Sequence, residues 1–122
     1  MSRSDDGKGE TMKYALLIYG DEKEFDTPAA IAEIQARHGA FAEELGEALI
    51  GGEELQDVAT ATTVRHNGTA ATVHDGPFAE AREQLGGFYL IEAENLDAAI
   101  AWARKLPMGR SGAVEIRPLA AM

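Results

Sequence analysis

At 122 residues, with 45% hydrophobic and 26% charged side chains, the sequence has the size and balance of one globular domain, and a disordered chain is excluded. A formal charge of −10 and a pI near 4.6 set it against polyanions, because nucleic-acid affinity depends on lysine and arginine displacing phosphate counterions, and the basic residues here are scattered. There is no cysteine, so disulfides, thiolate metal sites and cysteine nucleophiles are excluded, and no apolar run approaches the roughly 20 residues that cross a bilayer.

Residues 1–11 are polar, glycine-rich and unpatterned, which predicts a disordered arm or a start assigned upstream of a true one at Met12. This segment has no apolar h-region, so no signal peptide is expected and the default location is the cytoplasm. Lys13 to Gly20 is short, apolar on both faces and stopped by glycine, as a central strand would be. Thr27 followed by Pro28 is a cap and first-turn signature for a long helix. The apolar stripe of that helix runs Ile31, Ile34, His38, Phe41, Leu45 and Leu49, with His38 inside it, and Gly51-Gly52 is expected to end it. Gly39 and Gly46 then fall in its interior, at about 1 kcal/mol each relative to alanine.

Ala59 to His66 and Thr69 to His74 are β-rich runs separated by Asn67-Gly68, a strong hairpin signal. The turn Asp75-Gly76-Pro77-Phe78 and a charged connection from Ala79 to Leu85 lead to Gly86–Ala93, a second strand apolar on both faces. Asn95 caps a second helix with the stripe Leu96, Ala99, Ile100, Ala103 and Leu106, which stops at Pro107. Val114 to Leu119 alternates as a final strand.

The order is β-α-β-β-β-α-β, an α+β sandwich of ferredoxin-like topology over residues 12–122, with an antiparallel sheet and both helices on one face. Two helices cover only one face of such a sheet, yet residues 14–19 and 88–91 are apolar on both sides. The expected cover is the same surface of a second copy, making the protein a homodimer.

Met12-Lys-Tyr-Ala-Leu-Leu-Ile-Tyr-Gly-Asp21, Gly51-Gly52-Glu53-Glu54-Leu55, Ala59-Thr-Ala-Thr-Thr-Val64 and, above all, Asp75-Gly-Pro-Phe-Ala-Glu-Ala-Arg-Glu-Gln-Leu-Gly-Gly-Phe-Tyr-Leu-Ile-Glu92 resemble the YCII-related family in its DGPF branch. The resemblance spans roughly Met12 to Leu119 and implies a dimeric α/β barrel built from two ferredoxin-like units. It also implies a choice of roles. Some relatives of the wider family hold a His-Asp pair in a pocket and have been assigned acid–base chemistry such as dehydrochlorination, while DGPF-branch members are encoded beside, or fused to, extracytoplasmic-function sigma factors. The family histidine falls near His38 when the helix is matched through Arg37-His38, and Ala81-Arg82 stand where Thr-Lys is the expected pair.

His38 is the first candidate catalytic residue, because an imidazole titrates near neutrality and a carboxylate can orient it; the bland alternative is a packed, inert histidine. Asp75 is the second: it either orients His38 from the turn or simply accepts hydrogen bonds from the amides that follow it. Arg82, within a charge cluster with Glu80 and Glu83, is a candidate for fixing a carboxylate substrate, and His74 adjoins the same turn. Tyr14, Tyr19 and Tyr89 lie on the two-sided strands, where core or interface roles are usual; Tyr14 completes the candidate substrate-binding set with Arg82 and His74. His66 beside the hairpin turn reads as exposed. Neither helix has His-x-x-x-His or Glu-x-x-His spacing, and no spaced-glycine phosphate loop or serine elbow occurs, so neither a metal nor another cofactor is expected. Two functions follow: a cofactor-free acid–base enzyme for elimination or isomerisation of a small molecule, using His38 and Asp75, or a non-catalytic module that binds a ligand or a basic protein partner in a sigma-factor system.

Overall fold

The computed structural model describes residues 10–120, so most of the segment expected to be a disordered arm lies outside the described residues. Strand β1 (Met12–Gly20) is followed by a short 3-10 turn (Glu22–Phe25), helix α1 (Pro28–Leu45), β2 (Leu49–Glu54), a hairpin of β3 (Thr62–Asn67) and β4 (Ala70–Asp75), then β5 (Gln84–Ala93), α2 (Leu96–Lys105) and β6 (Ala113–Pro118). Both helices begin on the expected caps: the Thr27 hydroxyl accepts from the Ala30 amide, and the Asn95 side chain accepts from that of Ala98.

Four strands form an antiparallel sheet in the order β2-β5-β1-β6, so the two strands apolar on both faces, β1 and β5, lie at its centre. Tyr14 and Leu16 of β1 and Ile91 and Ala93 of β5 share a core with Phe41 and Leu45 of α1, Ala99 of α2 and Leu106 just beyond it. Contributions from both helices to one cluster put them on one face of the sheet, which is the ferredoxin-like α+β arrangement.

Strand β2 is a correction to the sequence reading, which ran the first helix through Leu49 and ended it on Gly51-Gly52. The helix stops at Gly46, whose φ of 56° is open to glycine and costly for other residues. The glycine pair is needed for close pairing instead: a Cβ on Gly52 would lie 2.6 Å from the Phe88 carbonyl oxygen, and Gly87 across the ladder would meet the Glu53 carbonyl at 2.9 Å. A strand built around two glycines lacks the alternation that reveals strands, so no periodicity marks it. The β3–β4 hairpin, expected to lengthen the main unit, makes a separate two-stranded sheet.

Candidate functional site

The apolar stripe of α1 divides between two tasks. Its C-terminal half, Phe41 and Leu45, fills the core, while Ile31, Ile34 and His38 line a cleft of about 860 Å³ where α1 diverges from the sheet. The ends of β1, β2 and β5 supply the opposite wall, and the Glu22–Phe25 turn closes one side with Glu22 and Phe25. The β1–β5 ladder changes register between Ile18 and Tyr19, and the β2–β5 ladder between Leu49 and Gly51. Such bulges bend strands and re-aim side chains, here beside the cleft.

Within this cleft, His38 Nδ1 lies 2.8 Å from the Tyr89 hydroxyl, and the two rings are stacked with centroids 5.9 Å apart. Tyr89 is set from behind by the edge of Phe41 at 5.2 Å, and Phe41 in turn by Trp102 at 5.9 Å. Burial lowers the His38 pKa; Glu54 opposes that shift and Arg37 adds to it. Burial also raises the Tyr89 pKa, reinforced by the negative field of Glu54. Both members of the pair are therefore held in their uncharged forms at neutral pH. The hydroxyl can accept from Nδ1–H or donate to a bare Nδ1, so the contact survives either imidazole tautomer and leaves the other ring nitrogen for a proton exchange.

The turn beside the cleft is clamped by its own Glu24. One carboxylate oxygen accepts from the Arg110 amide at 3.1 Å, the other from the Ser111 amide at 3.1 Å and the Ser111 hydroxyl at 3.0 Å. Gly109 makes room for this, since a Cβ there would lie 3.0 Å from the Phe25 ring and collide with the Glu24 carboxylate. The clamp fixes a wall of the cleft that the sequence reading left unassigned.

Of the site residues expected from sequence, His38 lines the cleft and the others lie elsewhere. Asp75 ends β4 in the separate hairpin, is exposed and is not among the residues lining the cleft, so the expected orientation of His38 by Asp75 gives way to the Tyr89 hydroxyl. The Asp75 turn is held instead by the Gly76 amide donating to the Ala61 carbonyl at 2.8 Å and the Thr63 hydroxyl donating to the Gly76 carbonyl at 2.7 Å. Phe78 from the same motif lies under the Arg65 guanidinium at 4.8 Å. His74 is exposed in β4, opposite Thr63, and Tyr14 is buried in the core. Arg82 is exposed and lies 3.5 Å from a carboxylate oxygen of Asp21, a lining residue, so it meets the rim through an acid rather than a vacant anion site. Among the described residues, no three histidine or carboxylate side chains converge as a metal site.

Tyr89 is the partner of His38 in the cleft, where the sequence suggested only a core or interface role. Its signal was indirect: alternation along β5 puts it on the same face as Ile91, beneath the helix stripe containing His38, and a partly buried tyrosine hydroxyl calls for a polar partner.

The model of the YCII-related domain matches residues 12–122. An uncharacterized protein from Rhizobium meliloti (strain 1021) is 38% identical over 120 residues, covering 89% of this chain and 93% of the relative. The chain belongs to the YCII-related family.

Proposed function

We propose that this YCII-related chain is a small-molecule enzyme that works by proton transfer without a cofactor, with His38 as the acid–base group and Tyr89 as the residue that positions it. The 2.8 Å contact between His38 Nδ1 and the Tyr89 hydroxyl on the cleft wall carries this reading. With Nδ1–H donated to the phenol oxygen, Nε2 holds a lone pair and takes a proton from a carbon acid. The electron pair left behind either forms a double bond as a leaving group departs, giving elimination, or draws the same proton back at a neighbouring atom, giving isomerisation. A lowered pKa keeps the ring neutral, hence competent as a base, across the physiological range. A basic protein partner in a sigma-factor system is the alternative, favoured by the acidic composition alone.

Hydrogen–deuterium exchange at carbon separates these readings. Incubated in D2O with a panel of small carbonyl compounds, the wild-type protein is expected to catalyse loss of the C–H signal in at least one of them. His38→Gln should abolish that exchange, and Tyr89→Phe should slow it roughly 10- to 100-fold. Asp75→Asn should leave it intact. Exchange that persists in His38→Gln, or a bound panel member that never exchanges, would refute the proton-transfer reading.

A further inference from the structure

We infer that the His38 cleft accepts small organic cations, a protonated amine on an apolar body, and rejects carboxylates. This rests on the reading of the cleft as a ligand site and names the ligand class that its walls select. The lining includes Asp21, Glu22, Glu53, Glu54 and Asp57, and no lysine or arginine. Two of these acids have internal tasks: Asp21 accepts from the Lys23 amide and approaches Arg82, and Glu22 accepts from the Val58 amide. Glu54 bears on the working pair itself, since its field reaches both the His38 ring and the Tyr89 phenol.

Arg37, whose field reaches the His38 ring, does not line the cleft, and Arg82 is paired to Asp21, so a carboxylate ligand entering the cleft would meet like charges on its walls without a guanidinium among them. A cation meets the opposite situation. Its charge is drawn toward Glu54 and Asp57 at the end of β2 and just past it, with the aromatic side chains of Phe25 and Tyr89 in the same lining, while Ile31 and Ile34 offer apolar surface to the rest of the molecule. A neutral His38 adds no opposing charge.

Benzylamine, benzyl alcohol and benzoate test this, because they share a shape and differ in charge at neutral pH. Binding is read from the NMR shift of the His38 ring in the full-length protein. Benzylamine is expected to bind at least tenfold more tightly than benzyl alcohol, with benzoate the weakest. Glu54→Gln combined with Asp57→Asn should reduce the benzylamine advantage roughly tenfold while leaving benzyl alcohol unchanged, and raising salt from about 0.05 M to about 0.5 M should erode it similarly. Circular dichroism of the double variant checks its folding. If benzyl alcohol perturbs His38 but the three probes show no order by charge, or if benzoate binds best, the cation inference is overturned and the ligand site stands. Should none of the three perturb His38, the cation inference falls together with the cleft as a site for ligands of this size.

Discussion

Burial sets the protonation state of His38, and the groups around it decide how firmly. Desolvation pushes its pKa below the ordinary value of 6.5, with Arg37 on its own helix acting in the same direction, Glu54 of β2 acting against it, and the neutral Tyr89 hydroxyl of β5 in direct contact. An unfolded chain binds the proton near pH 6.5, while the folded chain resists it until a lower pH. Between those two values the unfolded state carries more protons, so this histidine's contribution to stability is fully present above about pH 6.5 and is lost as pH falls through the window. In urea unfolding followed from about pH 7.5 to about pH 5, the wild-type midpoint is expected to fall more steeply than that of His38→Gln, and an NMR titration should place the His38 midpoint below 6.5. Parallel unfolding profiles for the two proteins would show that burial does not perturb this ring. The histidine was legible in the sequence because a polar residue inside an apolar stripe stands out. Its partner was not, since Tyr89 is 51 residues away and looks like ordinary strand packing until the β5 face is set against the helix.

Glycines illustrate why elements were read unevenly. The Asn67-Gly68 hairpin was legible because a turn of that kind demands a positive φ, and Gly68 has φ of 66°. The Thr27-Pro28 and Asn95 helix starts were legible because a cap acts on its own backbone within three residues. Gly51-Gly52 was misread because breaking a helix and admitting a neighbouring strand use the same residue type, and only the β2–β5 register distinguishes them. Position 52 combines two constraints, a φ of 150° and a Phe88 carbonyl oxygen 2.6 Å from where a Cβ would stand. Gly52→Ala is therefore expected to destabilise the protein by about 1–3 kcal/mol and to loosen β2, with the cleft wall it carries. Chemical denaturation measures the first effect and faster amide exchange across Gly51–Glu54 the second. An unchanged denaturation midpoint would mean that β2 lies farther from β5 than the ladder indicates.

The architecture leaves one face of the sheet without a helix, and what lies on that face argues for a second copy. On β1 the residues alternating with the core-facing Tyr14, Leu16 and Ile18 are Ala15, Leu17 and Tyr19; across the ladder Leu17 pairs with Phe88 and Ala15 with Leu90. Leu17, Tyr19, Phe88 and Leu90 are half-buried, and Glu115 and Arg117, paired by register with Leu17 and Ala15, form an ion pair at one side. An apolar centre with a charged margin is the composition of an isologous interface. The hairpin adds to the case. Val64 and Val73 face each other in its ladder with 53% and 68% of their surfaces exposed, and a two-stranded ribbon is marginally stable alone in water. No helix of the described residues is long and apolar enough to cross a membrane, so a bilayer-spanning helix does not account for these surfaces. The apolar second face was legible in the two-sided strands, whereas the separate hairpin was not, because β2, which the sequence does not mark, occupies the edge beside β5. In sedimentation velocity at micromolar concentration the wild-type protein is expected to run as a dimer. Leu17→Glu, which would bring a charge to the centre of the sheet face, should shift it to monomer with far-UV circular dichroism preserved, the loss of association exceeding 100-fold because an unpaired carboxylate would be buried in each half of a symmetric contact. A wild-type protein that sediments as a monomer would remove the second copy, and a Leu17→Glu protein that remains dimeric would move the contact to another surface.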